Sequence, residues 1–143
     1  MTALVPNTWL SHGTIECKNP VKSRRFYQEV LGLGSVRPLP AAQYLWNGGR
    51  WSLVCVGIGV DTKPQGVENR FCLRVETAAE VEAARETAVR LQAEHGIRAI
   101  GTFEDRDGVR SFTLHDLDGN WWEISNTDAV SYDEAFERGD VTA

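Results

Sequence analysis

The chain has 143 residues, one domain's worth of sequence, with 42% hydrophobic and 24% charged residues, a globular mix that excludes a disordered chain. Fifteen Lys and Arg stand against 20 Asp and Glu, a net charge of −5, which disfavours nucleic-acid binding. No apolar run approaches the roughly 20 residues of a membrane span. Met1 to Trp9 shows neither a basic nor an apolar region of a secretory signal, and the three cysteines, Cys17, Cys55 and Cys72, sit far apart in apolar runs. Together these features predict a reduced, cytoplasmic protein with buried thiols.

The first predicted element is a strand from about Ser11 to Cys17. Asn19 caps a helix with Pro20 in its first turn, where the missing N–H is harmless, and Val21, Phe26, Val30 and Leu31 form its apolar face. Gly32 ends this helix. Strands follow at about Ser35–Arg37, Gln43–Trp46 and Trp51–Ile58, with Gly48 and Gly49 turning between the last two. The stretch 59–68, with Asp61, Pro64 and Gly66, reads as a linking loop.

The second half repeats that order. Asn69–Val75 is a strand, and Thr77 with Glu80 makes a capping box for a helix whose apolar positions are Val81, Ala84, Ala88 and Leu91. Gly96 closes it. Strands at about Ala99–Phe103, Val109–Leu114 and Asn120–Ser125 complete the half, with Asp118 and Gly119 in the last turn. The acidic tail, residues 127–143, holds Tyr132 and Phe136 and is expected to pack. Both halves thus read βαβββ, as modules of about 10–58 and 69–126 in one domain. Laying Gly49-Arg50-Trp51-Ser52-Leu53 over Gly119-Asn120-Trp121-Trp122-Glu123 supports a duplication and sets Leu53 against Glu123.

Three stretches carry a family resemblance: Ser11-His12-Gly13-Thr14-Ile15-Glu16; Arg25-Phe26-Tyr27-Gln28-Glu29-Val30-Leu31-Gly32-Leu33; and Ser111-Phe112 followed by Asp116-Leu117-Asp118-Gly119-Asn120-Trp121-Trp122-Glu123-Ile124. Over residues 10 to 126 the chain resembles the vicinal oxygen chelate superfamily, which includes glyoxalase I, fosfomycin- and bleomycin-resistance proteins and extradiol dioxygenases. The resemblance implies an α+β fold in which two βαβββ modules curve into an incomplete barrel around a cavity. It also implies a homodimer whose cavity takes residues from both chains.

Metal-dependent members hold a divalent ion with a His on the first strand, a His on the fifth and a Glu on the eighth. By that resemblance His12 and Glu123 are metal ligands for Mn, Fe, Ni or Zn. Arg70 stands where the second His is expected, and a guanidinium cannot ligate a metal. Strand alternation puts Thr14 and Glu16 on the face of His12, making Glu16 the replacement ligand; its plain alternative is a solvated strand carboxylate. Arg70 suits either an ion pair with Glu123 or recognition of a substrate anion, and Arg74 shares its face.

The remaining polar and aromatic candidates are weighed against structural roles. His95, in the last turn of the second helix, reads as a dipole-stabilising cation. His115 is a turn residue or a cavity-mouth acid–base group. Trp46, Trp51, Trp121 and Trp122 are core residues or stack on a planar ligand, with Trp46 and Trp121 the candidates for substrate binding. Cys72 lacks a His partner and reads as packing.

The leading function is a small glyoxalase- or dioxygenase-like enzyme. It acts on an oxygen-bearing small molecule with a divalent metal, with Glu123 and Arg70 as catalytic groups. The alternatives are a metal-free protein that sequesters a planar ligand and a metal-free enzyme using Glu123 or Glu16 as base beside Arg70.

Overall fold

In the computed structural model of the chain, residues 10–48, 52–128 and 130–141 are described. The predicted strand start at Trp51 and the turn residue Gly49 lie outside these residues. The first module contains β1 (His12–Cys17), α1 (Pro20–Glu29), β2 (Gly34–Leu39), β3 (Ala42–Trp46) and β4 (Ser52–Gly57). After a short 3-10 turn, Gly59–Asp61, the second contains β5 (Arg70–Arg74), α2 (Ala78–His95), β6 (Ala99–Ile100), β7 (Glu104–Arg106), β8 (Val109–His115) and β9 (Trp121–Ser125). A last helix, α3 (Val130–Arg138), follows.

Each module builds one sheet, ordered β1-β4-β3-β2 in the first and β5-β9-β8-β6 in the second, where β7 also pairs β8. In both, the first strand runs parallel to the last strand of its own module. The helix between them makes the crossover that a parallel pair demands. The architecture is α+β, with two sheets that are not closed into a barrel.

Local chemistry explains the helix ends. The Asn19 side chain accepts from the Val21 and Lys22 amides, and Pro20 occupies the first turn of α1. Thr77 and Glu80 form the reciprocal capping box of α2, and Gly96 closes that helix in the left-handed conformation at φ +64°. The buried face of α1 is made by Ser23, Phe26 and Tyr27. Val21, predicted to lie on that face, is 57% exposed because the stripe runs through the next turn.

The predicted strand Ala99–Phe103 is instead β6 and, after a break, β7. Gly101 bonds across to the Thr113 carbonyl at the break, and the chain then turns back at Asp107 and Gly108, with φ of +52° and +81°. Such an Asp-Gly pair is the two-residue hairpin signal. The tail is helical, but it does not bury Phe136, which is 87% exposed.

One core joins the modules. Phe26 and Tyr27 of α1, Leu45 and Leu53 of the first sheet, and Phe112, Leu114 and Trp122 of the second are all buried in it. Tyr27 and Trp122 meet edge to face at 5.9 Å. Burying one large apolar side chain of this kind contributes about 1.5–3 kcal/mol.

A polar clasp built from Asp116 to Asn120 adds specificity to the joint. Asp116, fully buried, accepts from the Asp118 and Asn120 amides through Oδ1 and from the Trp122 indole through Oδ2. Asp118 reaches the other module, accepting from the Lys18 amide at 2.9 Å and from the Ser23 hydroxyl. Asn120 donates its side-chain amide to the Glu16 carbonyl at 2.8 Å. Gly119 is required twice, since its φ is +88° and a Cβ there would lie 2.7 Å from Pro64 Cα.

Candidate functional site

On the open face of the second sheet, strand register fixes three rows. Arg70 lies opposite Trp121 and then His115; Cys72 opposite Glu123 and then Thr113; Arg74 opposite Ser125 and then Ser111. The alternate residues Phe112, Leu114, Trp122 and Ile124 point into the core. Period-two alternation, anchored by the clasp, therefore delivers Glu123 to the open side.

Arg70 Nε donates to Glu123 Oε2 at 2.8 Å, and the two side chains are 33% and 23% exposed. Its Nη1 reaches the Val67 carbonyl at 3.3 Å and lies 3.5 Å from Glu68 Oε2. Among the described residues, Nη2 makes no hydrogen bond. The Glu123 hydrogen bond is the main reason that the Arg70 guanidinium holds its proton more tightly than an ordinary arginine. The pair lies in a depression of about 750 Å³, with Cys72, Ser111, Ser125 and Tyr132 around it.

Cys72 is exposed rather than buried, unlike Cys17 and Cys55. Its thiol is pushed up to about 11, first by local desolvation and then by the Glu123 charge, so it is a poor nucleophile at neutral pH. Arg74 stands apart from the depression. Its Nε donates to the Thr127 carbonyl at 2.6 Å and its Nη1 to Glu76 at 2.8 Å.

The remaining candidates are dispersed. His12, Thr14 and Glu16 all face outward on β1, as alternation predicts. His12, with Ser11 Oγ at 2.9 Å from Nδ1, borders a separate depression walled by Leu39, Ala42, Tyr44, Val54 and Val56. Glu16 borders a third, small one with Gln65, Asn69 and Trp121. His12, Glu16 and Glu123, predicted as a ligand set, are thus not brought together within one chain. Two lie on the open face of the first sheet and one on that of the second, and each lines a different depression. The donor set around Glu123 does not suit a divalent ion in one chain, because its nearest partner is a guanidinium.

Trp122 is wholly core. Trp121 donates its indole N–H to the Gln65 carbonyl and stacks on His115, with centroids 4.3 Å apart and planes at 8°. Trp46 is 56% exposed on the open face of the first sheet. The sequence overlay of the two halves is one residue out: in strand register Val54, not Leu53, takes the place of Glu123. Leu53 is core. A slip of one residue in a strand exchanges the faces. Either residue leaves the equivalent position of the first module without a polar group.

Two modules in which a parallel strand pair and its crossover helix carry one open sheet face make up this α+β fold. No protein-family model matches the chain, and no curated protein matches it in sequence. Solved structures do match it. The lactoylglutathione lyase of Agrobacterium tumefaciens superposes with a TM-score of 0.61 at 18% identity, over 85% of this chain and 95% of that one. The genomically encoded fosfomycin-resistance protein FosX of Listeria monocytogenes gives 0.70 at 17%, over 87% and 97%. A mutant of that FosX, complexed with Mn(II) and 1S,2S-dihydroxypropylphosphonic acid, gives 0.68 at 16%, over 86% and 93%. At these identities the likeness is one of fold.

Proposed function

We propose that the chain is a glyoxalase-like enzyme for a small, oxygen-bearing anionic substrate, in which Arg70 holds the anion and Glu123 moves a proton. The observation that carries this reading is the Arg70–Glu123 contact of 2.8 Å in an open depression. A carboxylate there can take a proton from a carbon next to a carbonyl. The electron pair left behind moves onto the carbonyl oxygen, and the guanidinium beside it stabilises the resulting oxyanion. The free Nη2 supplies a second donor for a planar carboxylate or phosphonate.

The cavity is completed by a second copy of the chain. Sheet faces that end in open depressions, one apolar around His12 and one charged around Glu123, support that reading. Sedimentation at micromolar concentration should give twice the mass of one chain; a single-chain mass refutes it.

A second reading is favoured by the FosX complex with Mn(II). In that reading His12 of one copy and Glu123 of another would hold a divalent ion, with Glu16 as a further donor, and Trp121 and Trp46 would line the substrate. Elemental analysis of untagged protein purified without chelator, in the parent and in Glu123→Gln, separates the two readings: metal that is lost with Glu123 favours the second. The test of the first is an NMR titration with pyruvate and methylphosphonate, following the Arg70 Nε–H resonance. Binding should shift it in the parent, and backbone amide shifts of Cys72 and Ser125 in the same depression should report at least tenfold weaker binding in Arg70→Gln. An unmoved resonance overturns the assignment.

A further inference from the structure

At the opposite ends of the two helices, away from Arg70 and Glu123, three side chains converge that the reading above does not use. Glu29 is the last residue of α1, and Glu94 and His95 are the last two of α2. One potential ligand atom from each lies within 4.8 Å of the others. The His95 side chain is only 3% exposed, and Phe26 of the other module covers its ring edge-on at 6.5 Å. Its Nε2 is buried and lies 3.2 Å from Glu29 Oε2, yet it makes no well-formed hydrogen bond with any described group. A buried polar atom left this way is uncommon and needs an explanation, and a bound ion beside the neighbouring carboxylates supplies one.

We propose that Glu29, Glu94 and His95 form a site for a divalent transition-metal ion, Zn(II) above all, that staples the first module to the second. One imidazole with two carboxylates is a donor set for first-row transition metals; Mg(II) and Ca(II) prefer oxygen alone. Both carboxylates are about half exposed, at 46% and 54%, so they can rotate inward to the roughly 2.0–2.2 Å that Zn(II) requires. His95 is the fixed point, held in its rotamer by the core.

The present occupant of this place is a cation. Arg25 Nη2 lies 2.9 Å from both Glu29 Oε2 and Glu94 Oε1, so the two carboxylates already converge on positive charge. The Arg25 side chain is 57% exposed but forks onto Glu29 through Nε and Nη2 and reaches Glu94 through Nη2, so a metal ion has three hydrogen bonds to displace. Once it swings outward, two carboxylates and a neutral imidazole balance a divalent ion. Arg25 is therefore a competitor for the site as well as its placeholder.

The experiment is Zn(II) titration calorimetry on the full, chelator-treated chain. It is done in the parent and in Glu123→Gln, so that metal at the depression described above cannot be mistaken for this site. The His95 ring nitrogens are followed by NMR at the same time. Both proteins should bind one equivalent with a shift of the His95 Nε2 resonance. Glu94→Gln, an exposed change that leaves the core intact, should weaken that binding at least tenfold. Arg25→Gln should tighten it several-fold. Zn(II) binding that ignores Glu94→Gln, leaves the His95 nitrogen unmoved or fails to tighten in Arg25→Gln overturns the proposal.

Discussion

The two modules share one backbone plan and carry opposite chemistry on their open faces. Around β1 that face holds His12, Thr14 and Glu16 along one edge and, beyond them, Val54, Val56 and the exposed Val36, Tyr44 and Trp46. Around β5 the equivalent positions hold Arg70, Cys72, Glu123, Ser125 and Ser111. Both faces are presented by the same arrangement of a parallel strand pair with a helix behind it. The difference therefore lies wholly in which side chains occupy the outward positions. A repeated scaffold sets which positions face outward, and single residues such as Val54 and Glu123 decide what chemistry is presented there.

The strongest way to break this comparison is to remove what holds both faces in place. Replacing Asp116 by Ala deletes the acceptor of two backbone amides and the Trp122 indole in a fully buried site. The expected loss is about 3–5 kcal/mol, read from urea denaturation, with both sheets unfolding in one transition. Sequential unfolding of the modules in the parent, with the clasp intact, would show that the clasp does not couple them.

Titration of the same residue perturbs it next most. Burial pushes the Asp116 carboxyl up to about 6, against the hydrogen bonds from Trp122, Asn120 and Asp118 that lower it. A raised value means that the folded chain binds this proton more tightly than the unfolded chain does. Its contribution is then fully present below about pH 4 and is lost as pH rises through 6. The loss is about 3 kcal/mol over that window. Denaturation midpoints at closely spaced pH values should show this slope in the parent and a flatter one in Asp116→Asn.

A smaller change sharpens the contrast at the site. Arg70→His removes a fixed positive charge beside Glu123 and places an imidazole on the same face. It should raise affinity for Mn(II) or Zn(II) at the depression about tenfold, or 1.4 kcal/mol, by calorimetry. Measuring it in a Glu94→Gln background keeps the helix-end site silent. Arg74→His, outside the depression, should leave that affinity unchanged; an equal gain would show that position 70 is not special.

Least of all, Glu123→Gln should cost about 0–1 kcal/mol of stability, since its ion pair is partly solvated. A larger loss would make the pair structural, and the two faces would then differ in architecture as well as chemistry.

The order of elements was legible because it is written in local signals: Asn19 with Pro20, Thr77 with Glu80, and Gly96 each act within one turn of chain. The Asp107-Gly108 hairpin carried a signal just as local, and placing the turn between β7 and β8 there needed only that dipeptide. Other features depend on partners far along the chain. Nothing near Leu53 reports whether it or Val54 faces outward, because pairing with β1 decides that. His95 looked like a surface cation at a helix end, since the ring that buries it, Phe26, belongs to the other module. The candidate site was legible by residue type at Arg70 and Glu123. The dispersal of His12 and Glu16 into other depressions was not, because it depends on how the sheets sit in space.

The run from Asp116 to Asn120 is the stretch by which the chain is most readily recognised, and the work it does is mechanical. Every polar side chain in it is spent on its own turn, on Trp122, or on Glu16, Lys18 and Ser23 across the joint. None of these groups borders the depression that holds Arg70 and Glu123. A descendant could therefore exchange residues 70 and 123 and keep its signature untouched. It could equally lose the signature's fit, through a side chain at Gly119, and forfeit the fold with Arg70 and Glu123 intact. Recognition by such a signature transfers a shape, and the catalytic inheritance has to be read at other positions.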